Sequence, residues 1–279
     1  MRTSLGAAVL AVRRSRRIAL LQFLGNPLLF LLFIVWLWVP ERHSAQLVLT
    51  VLLGFIIVAG GLILHALTLA YFRECPAAPA APHRTALRGC LCHLPSFLVW
   101  LVIVVFLFRI LDEAGDRSLL AAAYFRSLLP MPLRASFPQA AVDHTAVRLL
   151  WIAKYYLLPV LLLPLGMQLA YLGIGGASVR NSLRPLGRAG YWLIMAALSL
   201  LGVWLPAHLI FWNPVKGPLS IQVISLVTRL LAAYLAALLA WLLALALTGD
   251  ILCAFDPASP LPALPVEDAG DDRDRDAPV

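Results

Sequence analysis

Long runs of uncharged, mostly apolar residues constrain the fold of this chain more than any other feature. Residues 230–247 form eighteen consecutive positions without a charged side chain. As a helix, such a run reaches about 27 Å, close to the hydrocarbon core of a bilayer, which is about 30 Å thick. A transmembrane β-barrel is excluded because its strands alternate apolar and polar residues.

The chain contains six such runs, which predict an all-α fold: a polytopic transmembrane helical bundle with about six spanning helices. The predicted spans are 18–39, 46–71, 94–111, 149–174, 190–212 and 220–248. Composition agrees, since 62% of the residues are hydrophobic and only 13% are charged, whereas soluble domains carry about 25% charged residues. Residues 18–255 are therefore expected to form one six-helix transmembrane domain.

The segments outside the spans differ in character. Residues 1–17 form a basic segment, expected to be an amphipathic helix on the membrane surface. The long apolar run that follows exceeds the h-region of a signal peptide, about 7–15 residues, and predicts a retained anchor. Residues 112–148 form the longest outer loop, in which 118–129 predicts a surface helix. Residues 256–279 carry seven acidic and two basic residues and are expected to be a disordered, acidic, Pro- and Asp-rich tail.

The distribution of basic residues predicts the orientation. With a cytoplasmic N-terminus, 13 of the 22 lysines and arginines fall on the inner side and six on the outer side. This is the bias of the positive-inside rule, so both termini are expected in the cytoplasm. The general character of the chain resembles that of bacterial inner-membrane proteins, so we expect a multi-pass protein of such a cell membrane. The net charge of +8 indicates contact with the phospholipid bilayer and anionic lipid head groups rather than with nucleic acid.

Four basic side chains fall near the outer boundary of the predicted spans: Arg109, Lys154, His208 and Arg229. A cation at the bilayer centre costs about 2.5–3.5 kcal/mol on insertion scales, so a boundary position is favoured. In one interpretation each side chain extends separately to lipid phosphates. In the other, some turn inward and form a cationic pocket for an anion or a lipid head group, or pair with Asp112 and Glu113.

Signatures of catalysis and cofactor binding are not found in the sequence. Every Asp and Glu lies outside the apolar spans, which weighs against proton- or sodium-coupled transport. Nucleotide-binding loops and hydrolase motifs are absent. The cysteines of "CLCH" (90–93) lack the paired spacing of zinc sites, and cysteines on the inner side predict no structural disulfide. We therefore predict no catalytic residue, metal or cofactor.

Several residues within the runs bear on helix geometry. Pro27, Pro159, Pro164 and Pro206 interrupt three predicted helices, and such kinks occur both in ordinary packing and beside cavities. His65 is interpreted as a polar residue near a helix end rather than as a proton relay. The glycines of the second span predict close helix contact.

Two classes of function remain open. The first is a non-enzymatic membrane component: a scaffold, an accessory subunit, or a passive carrier of a lipid or small anion, with a cationic cluster near the outer leaflet. The alternative is a membrane-embedded enzyme that acts on a lipid at the outer surface, with His208, the basic cluster and the acids of 112–148. The first class is favoured because acids just outside a helix are ordinary boundary residues. The sequence does not predict protein partners.

Overall fold

The computed structural model describes residues 5–40, 42–74, 83–212 and 217–254, apart from the side chains of 83–86 and 135. Within these ranges the chain is helical and contains no strand. Six helical units are long and apolar enough to cross a membrane. The predicted all-α transmembrane bundle is therefore confirmed. The expected disorder of residues 256–279 concerns residues outside these ranges and stays a prediction.

The helices follow one another with short connections. In chain order they are α1 (Leu5–Arg14), α2 (Arg16–Trp38), α3 (Ser44–Arg73), α4 (His83–Asp116), α5 (Ser118–Leu128), α6 (Met131–Ser136), α7 (Gln139–Ile152), α8 (Leu158–Gly176), α9 (Val179–Leu183), α10 (Ala189–Ser199), α11 (Leu205–Phe211) and α12 (Leu219–Cys253). The membrane-length units are α2, α3, α4, α7 with α8, α10 with α11, and α12. Several extend beyond the predicted spans, because a helix continues past the apolar run that identifies it.

The segment predicted as an outer loop, residues 112–148, is mostly helical. It contains the end of α4, all of α5 and α6, and the start of α7. Helix α5 covers most of the predicted surface helix and packs against α7. The hydroxyl of Ser118 donates to Asp143 Oδ1 at 2.6 Å, so this hydrogen bond ties α5 to α7.

The core of the bundle lies among α3, α4, α8 and α12, and α1 packs against α12. The close glycine contact predicted in the second span is present, since a Cβ at Gly60 would lie 3.0 Å from Leu29 Cδ2. A tighter contact occurs at Gly249, where a Cβ would overlap the Phe72 carbonyl oxygen. Small residues let helix backbones approach in this way. Gly249 therefore sets the separation of α3 and α12.

Two π-helical segments precede prolines at equivalent distances. Ala153–Leu157 joins α7 to α8 just before Pro159, and Leu200–Trp204 joins α10 to α11 just before Pro206. A proline ring clashes with the carbonyl four residues earlier. The wider π turn moves that carbonyl away from the ring, so each unit continues across its proline.

One cysteine contradicts the prediction that the chain has no structural disulfide. Cys253 takes part in a disulfide bond, whereas Cys90 and Cys92 are free. The prediction of no structural disulfide is therefore wrong. Helix packing places the end of α12, which carries Cys253, beside the end of α3: Arg73 Nη1 lies 3.9 Å from Cys253 Sγ. The sequence does not reveal this proximity, because the two helix ends are far apart along the chain.

Candidate functional site

Lys154, one of the four predicted site residues, pairs with a carboxylate inside the protein. It lies in the first π segment, where its ammonium group donates to Asp112 Oδ1 on α4. The ammonium also lies 5.5 Å from the centre of the Phe108 ring and 5.2 Å from that of Tyr155. Only 17% of the Lys154 side chain is exposed. The carboxylate and the two rings thus hold the ammonium in the protein.

Arg229 binds the end of a neighbouring helix. Its Nη1 donates to the Leu209 carbonyl at 3.3 Å, and its Nε donates to the Ser225 carbonyl at 3.2 Å. Leu209 lies in the last turn of α11, where carbonyls lack helical donors. The C-terminal end of a helix carries partial negative charge, which favours a cation there. Arg229 therefore caps α11.

His208 lies one residue before Leu209, on an exposed face of α11. Its ring stacks on Trp204, with centroids 5.3 Å apart and planes at 10°, and on Trp212 at 6.4 Å and 17°. The three rings form an aromatic ladder, since residues four apart share a helix face. Aromatic rings of this kind favour the membrane–water boundary.

The structure brings the four residues together only in part. Arg229 binds the carbonyl of Leu209, the residue that follows His208 on α11. Lys154 lies in the first π segment, and the exposed Arg109 lies on α4. Within the described part of the chain, no hydrogen bond or ion pair joins one group to the other. A single pocket shared by all four side chains stays a prediction.

A cavity of about 620 Å³ lies elsewhere in the bundle. Residues of α3, α4 and α12 line it, and α2 contributes Asn26. Most of the lining is apolar, with Phe97 and Trp100 stacked at a centroid distance of 5.3 Å. Its volume lies in the range of small-molecule sites, about 300–1,000 Å³. Val58, 64% exposed, belongs to its lining, so the cavity is open at the surface that faces lipid.

A few polar groups converge on this cavity. Asn26, His65 and Tyr234 line it, together with the indoles of Trp100 and Trp241. The His65 and Trp241 rings meet edge to face, with centroids 6.3 Å apart. No charged side chain is among the lining residues that the structure describes. An apolar chamber with a few polar groups is the usual form of a small-molecule site.

Hydrogen bonds hold Asn26 at the edge of the cavity. Its Nδ2 donates to Gln22 Oε1 at 2.9 Å. Gln22 is fully buried, and its Nε2 donates to Thr68 Oγ1 at 2.6 Å and to the Leu64 carbonyl at 3.3 Å. This chain links α2 to α3 beside the cavity. Because such bonds replace water inside a bilayer, they fix the relative position of the two helices.

The sequence does not predict the cavity, and His65, interpreted from the sequence as a helix-end residue, belongs to its lining. The available signal was the occurrence of Asn26, His65 and Tyr234 within apolar runs, in the parts of their helices that lie between the ends. A polar residue at that depth needs a partner or a cavity. Charged residues at the boundary are the stronger signal in the sequence, because a charge is the more costly group to bury.

No protein-family model, curated protein or solved structure matches this chain.

Proposed function

We propose that this integral membrane protein is a non-enzymatic lipid carrier, which takes an uncharged lipid from the bilayer into the cavity between α2, α3, α4 and α12. The observation that supports the proposal is the cavity itself: about 620 Å³, apolar, and open at the lipid-facing surface. A site reached through the bilayer collects molecules that are already dissolved there. A lipid is therefore the occupant that fits its position and its lining.

The lining also distinguishes between lipids and ions. A small anion needs opposite charge or many donors, because an unpaired ion in an apolar site is very costly. The described part of the lining offers no charged side chain, and Lys154 and Arg229 are bound to protein groups outside it. Carriage of a small anion is therefore supported less well than carriage of a lipid.

The alternative of an enzyme at the outer surface also has weaker support. An enzyme of this kind needs a free carboxylate near His208 to act as general base. Asp112 pairs with Lys154, and Asp143 accepts the hydroxyl proton of Ser118. His208 itself stacks between two tryptophans. These contacts give the groups structural roles.

Cavity-filling variants test the proposal. Ala237 and Gly61 line the cavity, and a Cβ at Gly61 meets only Leu29 Cδ1, at 4.0 Å. We expect Ala237→Phe and Gly61→Leu to occupy the space and to retain about tenfold less lipid after purification in detergent. Native mass spectrometry and lipid extraction measure the retained molecule directly.

The matched control is Ala232→Phe, which adds the same ring to an exposed position of the same helix. This variant is expected to retain lipid like the natural protein. Equal retention by the natural protein and both cavity-filling variants, with all variants folded and monodisperse, contradicts the proposal.

The orientation is part of the proposal. We infer cytoplasmic termini from the arginine bias and a bacterial inner membrane from the general character of the chain. The disulfide at Cys253 is a feature more typical of oxidising compartments and weighs against a cytoplasmic C-terminal end. Labelling of single cysteines introduced at the N-terminus and in α5 decides between the two orientations. Labelling of the N-terminal position from outside the cell contradicts the inferred one.

A further inference from the structure

Resting on the proposed function, we infer that the carried lipid has a free hydroxyl group, which donates a hydrogen bond to the unprotonated ring nitrogen of His65 inside the cavity. Two kinds of membrane molecule share this chemistry: isoprenoid alcohols and diacylglycerols. The shared group is one uncharged hydroxyl on a largely apolar body.

The side chain of His65 faces the cavity. Four of the lining residues of α3 follow one another at intervals of four positions: Ile57, Gly61, His65 and Leu69. Residues four apart share a helix face. Leu64 and Ala66, the neighbours of His65 in the sequence, are buried in the bundle, whereas His65 is only half-buried. The exposed part of its ring therefore lies on the cavity side of α3.

The ring nitrogens of His65 are unpaired and accessible. Within the described part of the chain no hydrogen bond or ion pair involves this ring, and neither nitrogen belongs to the fully buried polar atoms that lack a partner. An unpaired nitrogen that is not fully buried is open to the space beside the ring. His65 lies about two helical turns before the end of α3 at Arg73, where a polar group in an apolar medium needs a partner.

The other polar groups of the lining are already used or out of reach. Asn26 and Tyr234 each donate to a group of α2, at 2.9 Å and 3.0 Å. The indole nitrogens of Trp100 and Trp241 are fully buried, so a molecule in the cavity does not reach them. Among the lining residues that the structure describes, His65 is thus the polar side chain that is left for a ligand.

The chemistry of the ring favours a hydroxyl group. Trp241 holds the ring edge to face, with planes at 80°. A neutral imidazole has one N–H donor and one nitrogen that accepts, and this nitrogen is more basic than a hydroxyl or carbonyl oxygen. A ketone or ester has no proton to donate to it. An ionised head group is costly in a lining whose described residues carry no charge. A lipid hydroxyl supplies the missing proton without a charge.

Binding of matched radiolabelled probes to the purified, full-length protein tests the inference. The probes are an isoprenoid alcohol, a medium-chain diacylglycerol, and the methyl ether of each, which keeps the oxygen and the apolar body but lacks the O–H group. We expect at least one alcohol to bind about tenfold more tightly than its own ether. The two alcohols compared with each other identify the source of the hydroxyl. Equal affinity of both alcohols and their ethers overturns the inference without any mutation.

Replacement of His65 by phenylalanine then tests the assignment to this residue. His65→Phe keeps a ring against Trp241 and removes both nitrogens. It is expected to weaken the better alcohol about tenfold, to the affinity of its ether, and to leave the ether almost unchanged. The control is His144→Phe, at an exposed position of α7 outside the lining. A folded His65→Phe variant that still prefers the alcohol to its ether overturns the assignment.

The two proposals fail in different ways. If Ala237→Phe abolishes binding of every probe but the natural protein binds alcohols and ethers equally, the lipid cavity stands and the hydroxyl assignment is wrong. If Ala237→Phe leaves every probe bound as before, the proposed function itself is wrong.

Discussion

The hydroxyl of Tyr234 on α12 donates to the Phe23 carbonyl on α2 at 3.0 Å. In a regular helix this carbonyl accepts from the amide of residue 27, but residue 27 is a proline, which has no amide hydrogen. The same relationship occurs at a second kink. Tyr191 on α10 donates to the Val160 carbonyl at 3.1 Å, the carbonyl that Pro164 leaves without its helical donor. In each case a tyrosine from another helix replaces the missing amide.

Tyr234→Phe is expected to destabilise the bundle by about 1–2 kcal/mol, because the Phe23 carbonyl then lacks its donor within an apolar medium. In a Pro27→Ala background the loss is expected to be smaller, since the amide of residue 27 is restored. Unfolding by denaturing detergent measures both values. Tyr124→Phe, at an exposed position on α5, is the control. An equal loss in both backgrounds contradicts the explanation.

Tyr191→Phe is expected to lower the free energy of unfolding by at least as much as Tyr234→Phe does. Tyr191 is 0% exposed, so neither water nor a lipid head group replaces its hydroxyl at the Val160 carbonyl. The Pro164→Ala background again provides the comparison, because a restored amide at 164 compensates part of the loss. Additive effects of the two substitutions in the same unfolding experiment mean that the kink and the tyrosine are independent.

These pairs show what the sequence predicts and what it does not. Pro27 and Pro164 are visible as interruptions of apolar runs, so free carbonyls are expected at these kinks. The donors are not visible, because Tyr234 is 211 positions from Phe23 and only the packing of α12 against α2 brings them together. The number of spans, by contrast, depends on local runs of apolar residues and follows from the sequence alone.

The candidate site also has some features that the sequence predicts and others that it does not. Arg229 is recognisable as a boundary residue because it stands beside a long uncharged run. Its role as a cap requires the position of α11, which depends on tertiary packing. Phe97, Trp100 and Trp241 are indistinguishable in sequence from other aromatic residues in apolar runs. A cavity is a property of the space between helices, so no local pattern marks it.

Gly249→Ala is expected to destabilise the protein by about 1–3 kcal/mol, the typical cost of overpacking. A new Cβ would overlap the Phe72 carbonyl oxygen, and because that atom belongs to the backbone, α3 and α12 must separate. Gly115→Ala is the matched control, since a Cβ there meets nothing within 4 Å and the better helix propensity of alanine favours folding. Similar effects of the two substitutions on detergent unfolding contradict the close contact.

The Lys154–Asp112 pair is expected to be a structural interaction of modest strength. Lys154→Met and Asp112→Asn should each cost about 1 kcal/mol or less, because 44% of the Asp112 side chain is exposed and solvent screens the attraction. The double variant should lose less stability than the sum of the losses of the two single variants. The exposed pair Arg117–Glu113 (2.6 Å) is the control cycle and should show weaker coupling. A coupling energy of zero between Lys154 and Asp112 contradicts the structural role of the pair. The Lys154 ammonium group would then be free to bind an external anion.

Arg229→Met is expected to destabilise the junction of α11 and α12 by about 1 kcal/mol, since the Leu209 carbonyl loses a charged donor at a helix C-terminus. Arg229→Lys keeps the charge but has a single, shorter donor group, and is expected to recover part of the loss. Detergent unfolding gives the stability, and native mass spectrometry of the same samples gives any retained anionic lipid. Loss of anionic lipid with unchanged stability contradicts the capping role, because the guanidinium then binds a head group rather than the protein. Loss of stability alone places Arg229 among the residues that hold the bundle together.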